Sequence, residues 1–323
     1  VSETSGQVWW REPGQQCVQR LRLNPKGNAR FRYAPFQDSD EFPIIEWVGE
    51  VEESEMPVTG SLKGLDSGMQ RGPSQSAHEA GVDAALKAIE SGAFEKVVLS
   101  RSEFWQSESS PEELFKMKCE AYPDAFVYLL SHPSCGVWLG ATPELLLHAA
   151  GDRYTTVSLA GTKQSQGEGW TAKELHEQQL VTDFIEQELR AEDVRDLKVG
   201  PVRDYTYGKL CHLQTQISFS SAKSPDEWLR VLHPTPAVGG YPRAEALAFI
   251  QAREASPRGY YAGYLGITES AAARFFVNLR CMQCYANGYR LFAGGGIVAG
   301  SNPLQEWEET QAKIESIRAE LTA

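Results

Sequence analysis

The chain has 323 residues, 41% of them hydrophobic and 10% aromatic, and a formal net charge of −12, which is enough apolar material for one large domain or two ordinary ones. That charge argues against nucleic acid and against an anionic membrane surface as partners, while an anionic small molecule can still be held by a local cluster of cations. No apolar run reaches transmembrane length, no secretory signal is visible from Val1 onward, and the six cysteines are scattered, so the chain reads as a cytoplasmic protein with reduced thiols.

Residues 1–52 read as strands and turns. Gln7 to Arg11, Val18 to Leu23, Arg30 to Pro35 and Ile44 to Val51 are short and β-prone, and Asn24 to Asn28 reads as a hairpin turn. From Glu52 to Gln75 the chain is rich in Gly, Ser, Met and Pro and reads as a loop. Ser76 and Glu79 have capping-box spacing, opening a helix with Val82, Leu86 and Ile89 on one stripe. Val97 to Trp105 is strand-like. Ser110-Pro111-Glu112-Glu113 opens a second helix, and strands follow at Phe126 to Ser131 and Gly136 to Ala141. Leu145 to His148 and Tyr154 to Leu159 flank a Gly151-Asp152 turn as a hairpin.

A long amphipathic helix is expected from Thr171 to Glu192, then strands at Leu197 to Tyr205 and Cys211 to Ser220. Ser224-Pro225-Asp226-Glu227 is a further capping box, and a short helix follows Arg243. Tyr260 to Thr268, Arg274 to Tyr285 and Tyr289 to Val298 read as strands before a terminal helix that starts on Pro303. Strands joined by short turns imply antiparallel sheet, not βαβ units. There is no GxGxxG after a strand, no P-loop and no internal repeat.

Two helices carry carboxylates three residues apart: Glu174 with Glu177, and Glu306 with Glu309, the latter followed four residues on by Lys313. Each alone is an ordinary solvated face, but two such faces can supply a hard, oxygen-rich site for Mg²⁺. The run Gly294-Gly295-Gly296, after the apolar residues Tyr289 to Ala293, lets a ligand approach the backbone with amides facing an anion. Lys96, at a strand start, is either a solvated charge or a buried general base kept neutral by desolvation or by nearby Arg101. Glu144, before Leu145-Leu146-Leu147, either faces out or is an acid of raised pKa. His212 is a core histidine or a site residue. Arg280, in the alternation from Val277, is an ordinary strand residue or one that points into the core as a carboxylate clamp. The lone Cys281-x-x-Cys284 lies in a strand with its side chains on opposite faces, and without a second CxxC zinc is not expected.

Taken in order, KVVLSR (Lys96 to Arg101), PELLL (Pro143 to Leu147), LAGT (Leu159 to Thr162), KELHE (Lys173 to Glu177), HPTPAVGGYPR (His233 to Arg243), the Arg280 strand, AGGGIV and LQEWEET resemble the chorismate-utilising enzymes, and among them the isochorismate synthases, over Ser76 to Leu321. The resemblance implies one α+β domain, a sandwich-like antiparallel β core wrapped by helices, with residues 1–75 joined to a catalytic core of residues 76–323. It implies chorismate as substrate and Mg²⁺ as cofactor. By this resemblance Lys96 is the base that activates water for attack at C2, and Glu144 is the acid that protonates the departing C4 hydroxyl. Glu177 and Glu306 hold Mg²⁺ against the ring carboxylate, with Glu174 and Glu309 supporting through water. Arg280, Tyr261, Gly294 and Lys313 grip the enolpyruvyl carboxylate, while Gly161, Thr162 and His212 line the ring. Gln178 stands where relatives usually have His, a change expected to affect the surroundings of the metal ligand and not the ligand itself.

The branch is read from three positions. Anthranilate synthases usually have Gln where Lys96 stands, aminodeoxychorismate synthases have Lys where Ala160 stands, and salicylate synthases typically have Thr where Ala237 stands. The resemblance further implies a monomer that needs no glutaminase subunit, its product serving menaquinone or siderophore synthesis. The alternatives are a salicylate synthase with lyase activity, an anthranilate or aminodeoxychorismate synthase component, and a non-catalytic carboxylate-binding homologue.

Overall fold

The structure is a computed structural model, and it describes residues 6–60, 62, 72–167, 169–270 and 272–319. Of the expected loop of residues 52–75, residues 61 and 63–71 lie outside the described residues, as does Leu321. The chain opens with four strands, β1 (Gln7–Arg11), β2 (Val18–Leu23), β3 (Ala29–Ala34) and β4 (Ile45–Ser54). Period-two alternation sets their faces, so that Ala29, Phe31 and Tyr33 of β3 are buried, while Arg30 is exposed and Arg32, between Phe31 and Tyr33, is half-buried. Helix α1 (Gln75–Glu90) precedes β5 (Lys96–Gln106) and α2 (Pro111–Ala121). Then come β6 (Phe126–His132), β7 (Gly136–Thr142), β8 (Leu145–Ala150) and β9 (Arg153–Gln164).

Helix α3 (Ala172–Ala191) is followed by β10 (Arg195–Val199), β11 (Arg203–Tyr207), β12 (Leu210–Ser220) and α4 (Pro225–Leu232). After β13 (Gly240–Tyr241) and α5 (Arg243–Arg253), the chain returns through β14 (Tyr264–Glu269), β15 (Ala272–Val277), β16 (Cys281–Tyr285) and β17 (Gly288–Val298) to α6 (Pro303–Arg318). The result is an α+β fold, an antiparallel β core wrapped by helices. N- and C-terminal strands interleave: β14 pairs with β3, β15 with β8, and β17 runs along the whole of β5.

Two apolar clusters lie on opposite faces of this sheet. Along β6, Phe126, Tyr128 and Leu130 join one cluster and Val127 and Leu129 the other. Strands buried on both faces read as unbroken apolar runs, which is why β6 was legible without alternation. Each fully buried ring, such as Phe115 of α2, contributes about 1.5–3 kcal/mol. The CxxC pair follows the same rule, with Cys281 in one cluster and Cys284 in the other. All six cysteines are unpaired.

Four sequence expectations change. Helix α1 is capped by Ser74, whose hydroxyl accepts from Ala77 N at 3.3 Å, so Ser76 lies inside its first turn. The strand expected at Leu197 to Tyr205 is two strands, β10 and β11, because Gly200-Pro201 intervenes and proline has no N–H for the ladder. The strand expected at Arg274 to Tyr285 breaks between β15 and β16, where Arg280 takes φ 51°. The strand expected at Tyr260 to Thr268 begins only at Tyr264, after Ala262 takes φ 60°, whereas the glycine run stays within its expected strand, β17 remaining paired with β5 through Gly294, Gly295 and Gly296 to Val298. Among the described residues no helix is long and apolar enough to cross a membrane.

Candidate active site

One cavity collects most of the residues singled out from the sequence. Glu144, Gly161, Thr162, Glu177, His212 and Ala237 line it, as do Tyr261, Arg280, Gly294, Glu309 and Lys313. Lys96 lies just behind the wall, fully buried, with Nζ 3.0 Å from Glu177 Oε1 but not aligned for a hydrogen bond. Glu174 and Glu306 also lie off the wall.

The sheet builds the cavity by departing from regularity at three places, as is common beside active sites. Between Ala160 and Lys163 of β9, Gly161 and Thr162 face the single residue His212 of β12, a bulge that Gly161 permits with φ 69°. Between β7 and β8, residues 143 and 144 step out of the ladder, and Val277 N donates to the Glu144 carbonyl at 2.9 Å. Between β15 and β16, the left-handed Arg280 turns the chain so that its guanidinium enters the cavity.

The glycines on β17 make room. A Cβ at Gly296 would lie 2.1 Å from Glu177 Oε1 and 3.1 Å from Lys96 Cε, and one at Gly294 would lie 3.1 Å from the Tyr261 hydroxyl. On the other face, a Cβ at Gly295 would lie 3.2 Å from Glu306 Oε2. Val98 and Ser100, opposite Gly296 and Gly294, spend backbone groups on the far edge of β5, so Gly294 and Gly296 turn theirs away from β5 too. The Gly294 carbonyl accepts from Lys313 Nζ at 2.8 Å, and Lys313 also meets Glu309 at 2.7 Å.

Electrostatics divides the wall. Burial pushes Glu144 up to about 8, against the pull of Lys96 and Lys313, so its carboxyl carries a proton near neutrality. Burial, with Arg280 and Lys313 nearby, pushes His212 down to about 3. The imidazole is therefore neutral. Arg280 Nη2 donates to Nε2 at 3.0 Å, which leaves the proton on Nδ1, facing the Gly161 carbonyl at 2.9 Å. Arg280 is buried and has no carboxylate partner among the described residues; its other side-chain bond is to the Ser316 hydroxyl at 3.3 Å. A buried guanidinium with unused donors suits an incoming carboxylate. Tyr261 stacks on Phe292, centroids 5.3 Å apart, and burial holds its phenol well above its usual range.

The carboxylates from α3 and α6 approach each other without closing a cage. Lys173 Nζ sits 2.5 Å from Glu306 Oε1. Glu306 is fully buried, its Oε2 lacks a well-formed hydrogen bond, and the Ser301 hydroxyl is nearby. Burial first, then the charge of Glu309, raises the Glu306 pKa. Burial would also raise Glu309, but Lys313, Lys173 and Arg280 together outweigh it and hold that group below the usual carboxylate range. Glu174 instead closes the α3 capping box, its Oε2 accepting from Thr171 N at 2.9 Å. Among the described residues no three metal-ligating side chains are gathered. An orphaned buried carboxylate oxygen facing like-charged neighbours nevertheless fits a hard, water-carrying cation, which needs only one or two protein carboxylates. Gln178 points away from all this, donating to the Ser158 hydroxyl at 2.9 Å and to Thr215 at 3.3 Å.

Arg101 does not do what its proximity in sequence suggested. Five residues from Lys96 along β5, it faces the other way, stacked 3.9 Å over Trp307 and bonded to Thr310 at 2.8 Å. Sequence reasoning missed Phe292 and Arg258, which also line the cavity. Phe292 was accessible, since it shares the face of Gly294 and Gly296 by alternation. Arg258 lies in an irregular segment after α5 and carried no periodic signal.

Comparison with known proteins adds to this geometry. Residues 63–322 match the family described as chorismate binding enzyme. The isochorismate synthase MenF of Haemophilus influenzae is 32% identical over 252 residues, 72% of this chain and 57% of that protein. The isochorismate synthase EntC of Escherichia coli K12 is 30% identical over 262 residues, 76% of this chain and 67% of that protein. The match to the first thus spans little more than half of that relative's length. The solved structure of MenF, the menaquinone-specific isochorismate synthase from Escherichia coli, superimposes with a TM-score of 0.82 at 24% identity, covering 99% of this chain and 90% of that one. At that identity the likeness speaks for the fold.

Proposed function

The chain belongs to the chorismate-binding enzyme family, in its isochorismate synthase branch, and from that premise we propose that it converts chorismate to isochorismate. The observation that carries the reading is the pairing in one cavity of a carboxyl group protonated near neutrality, Glu144, with a buried guanidinium that has no carboxylate partner, Arg280. Chorismate is a dianion with a ring hydroxyl to be lost. Arg280 and Lys313, with the Tyr261 hydroxyl and the backbone of Gly294, would bind the enolpyruvyl carboxylate. Gly161, Thr162 and the neutral His212 would bound the ring, with Ala237 on the loop opposite.

Water then adds at C2 as the ring double bonds shift and the C4 hydroxyl leaves as water. Lys96 takes the proton from the entering water, and Glu144 gives one to the leaving hydroxyl, so that atoms and charge balance. Glu177 and Glu306 would hold Mg²⁺, supported by Glu174 and Glu309, and the cation would neutralise the ring carboxylate. The protein would act as a monomer without a glutaminase subunit, and its free thiols fit a cytoplasmic setting.

The product distribution tests the branch. With chorismate, Mg²⁺ and an ammonium salt together, isochorismate should be the main product, with little salicylate and no anthranilate. Anthranilate in that mixture would refute the assignment.

A pH profile tests the acid. The leaving hydroxyl needs the protonated form of Glu144, which is depleted above about 8. kcat/KM should therefore fall with rising pH beyond that point, roughly tenfold per unit, while His212, already neutral, adds no limb near neutrality. A profile flat through the alkaline range would remove Glu144 from the role.

A further inference from the structure

Two arginines line the cavity, and they spend their donors differently. Arg258 is buried, with its guanidinium 4.2 Å over the ring of Phe36. Its Nη1 donates to the Val238 carbonyl and its Nη2 to the Val98 carbonyl, each at 2.6 Å. Nε and Nη2 fork onto Glu254 at 2.9 and 2.6 Å. Glu254 Oε1 also accepts from Ser100 N at 2.7 Å.

The backbone groups served by this pair belong to one edge of β5. Strand β13 covers that edge only at Lys96 and Val97, and Val98 N then donates to the Gly239 carbonyl at 2.8 Å. Beyond that point no strand pairs with the edge among the described residues, and the side chains of Arg258 and Glu254 take up the Val98 carbonyl and the Ser100 amide. The pair thereby continues the ladder in place of a strand. It also ties in Val238, next to Ala237 on the cavity wall.

We propose that Arg258 and Glu254 are positioning residues that dock the 235–240 loop onto β5 and so set the width of the substrate cavity. The proposal rests on the reading of that cavity as the chorismate site. Arg280 keeps donors free for an anion, whereas Arg258 has spent its own on the wall. Substrate affinity, not the proton transfers, should therefore depend on Arg258.

Arg258→Lys is the test, because lysine keeps a cation beside Glu254 but cannot bridge two carbonyls with a planar fork. KM for chorismate should rise about tenfold or more, as for loss of a charged hydrogen bond, with kcat within about threefold of the parent. Amide hydrogen exchange should quicken in segments 97–101 and 235–241 and stay unchanged elsewhere. Glu254→Gln, whose amide oxygen can still accept from Ser100, should loosen the same segments less, and it decides the matter if Arg258→Lys fails to fold. Unchanged exchange in both segments, or a fall in kcat at constant KM, would overturn the proposal. The exchange arm needs no substrate, so a parent protein inert toward chorismate would defeat the functional reading while leaving exchange to judge the docking.

Discussion

Lys96→Ala and Glu144→Gln should each lower kcat by at least ~10²-fold, the range expected for loss of a general acid or base, and change KM much less. The factor corresponds to about 2.7 kcal/mol of transition-state stabilisation. Neither residue grips a carboxylate in this account. Glu144 is set for its role by burial, which keeps it protonated while the wall around it is cationic. Lys96 is held at the start of β5, opposite Val298, with its stem against Gly296 and its Nζ 3.0 Å from Glu177 Oε1. The exchange of hydroxyls is close to symmetric, so both variants should lose the reverse reaction too, with Glu144 acting as base and Lys96 as acid. The measurement is kcat and KM in both directions, with melting temperatures to confirm folding. If either variant keeps near-normal turnover, or loses only binding, that residue is an anchor and the proton transfers belong elsewhere.

Glu177→Gln and Glu306→Gln should each abolish Mg²⁺-dependent turnover with the fold intact. Glu306 is fully buried with one oxygen lacking a well-formed bond, and Glu177 reaches the cavity over Gly296. Neutralising either removes a hard oxygen donor from the place where α3 and α6 converge. Calorimetric titration with Mg²⁺ should show the loss of binding directly, apart from activity. Full activity of both variants in EDTA-treated buffer would eliminate the metal role.

Regular elements were legible from the sequence because their signals are local. The capping boxes at Ser110 and Ser224 place α2 and α4 to the residue, and apolar runs mark β6 and β7. The cavity residues were legible as ordered motifs, but their geometry was not. The bulge at Gly161, the left-handed Arg280 and the step at Glu144 are each imposed by tertiary pairing with distant strands, and no periodic pattern encodes them. The same limit explains the misreading of Arg101. Alternation alone put it on the face opposite Lys96, yet proximity in sequence suggested a neighbour. Arg258 was invisible for a related reason, since its partners Val98, Val238 and Glu254 come from three separate segments.

The central claim is that this cavity adds water at C2 of chorismate and expels the C4 hydroxyl. Incubating the protein with chorismate and Mg²⁺ in H₂¹⁸O, with products resolved by chromatography and weighed by mass spectrometry, tests it most directly. The account predicts isochorismate carrying one solvent oxygen at C2. No isochorismate, or isochorismate with only its original oxygens, would contradict it.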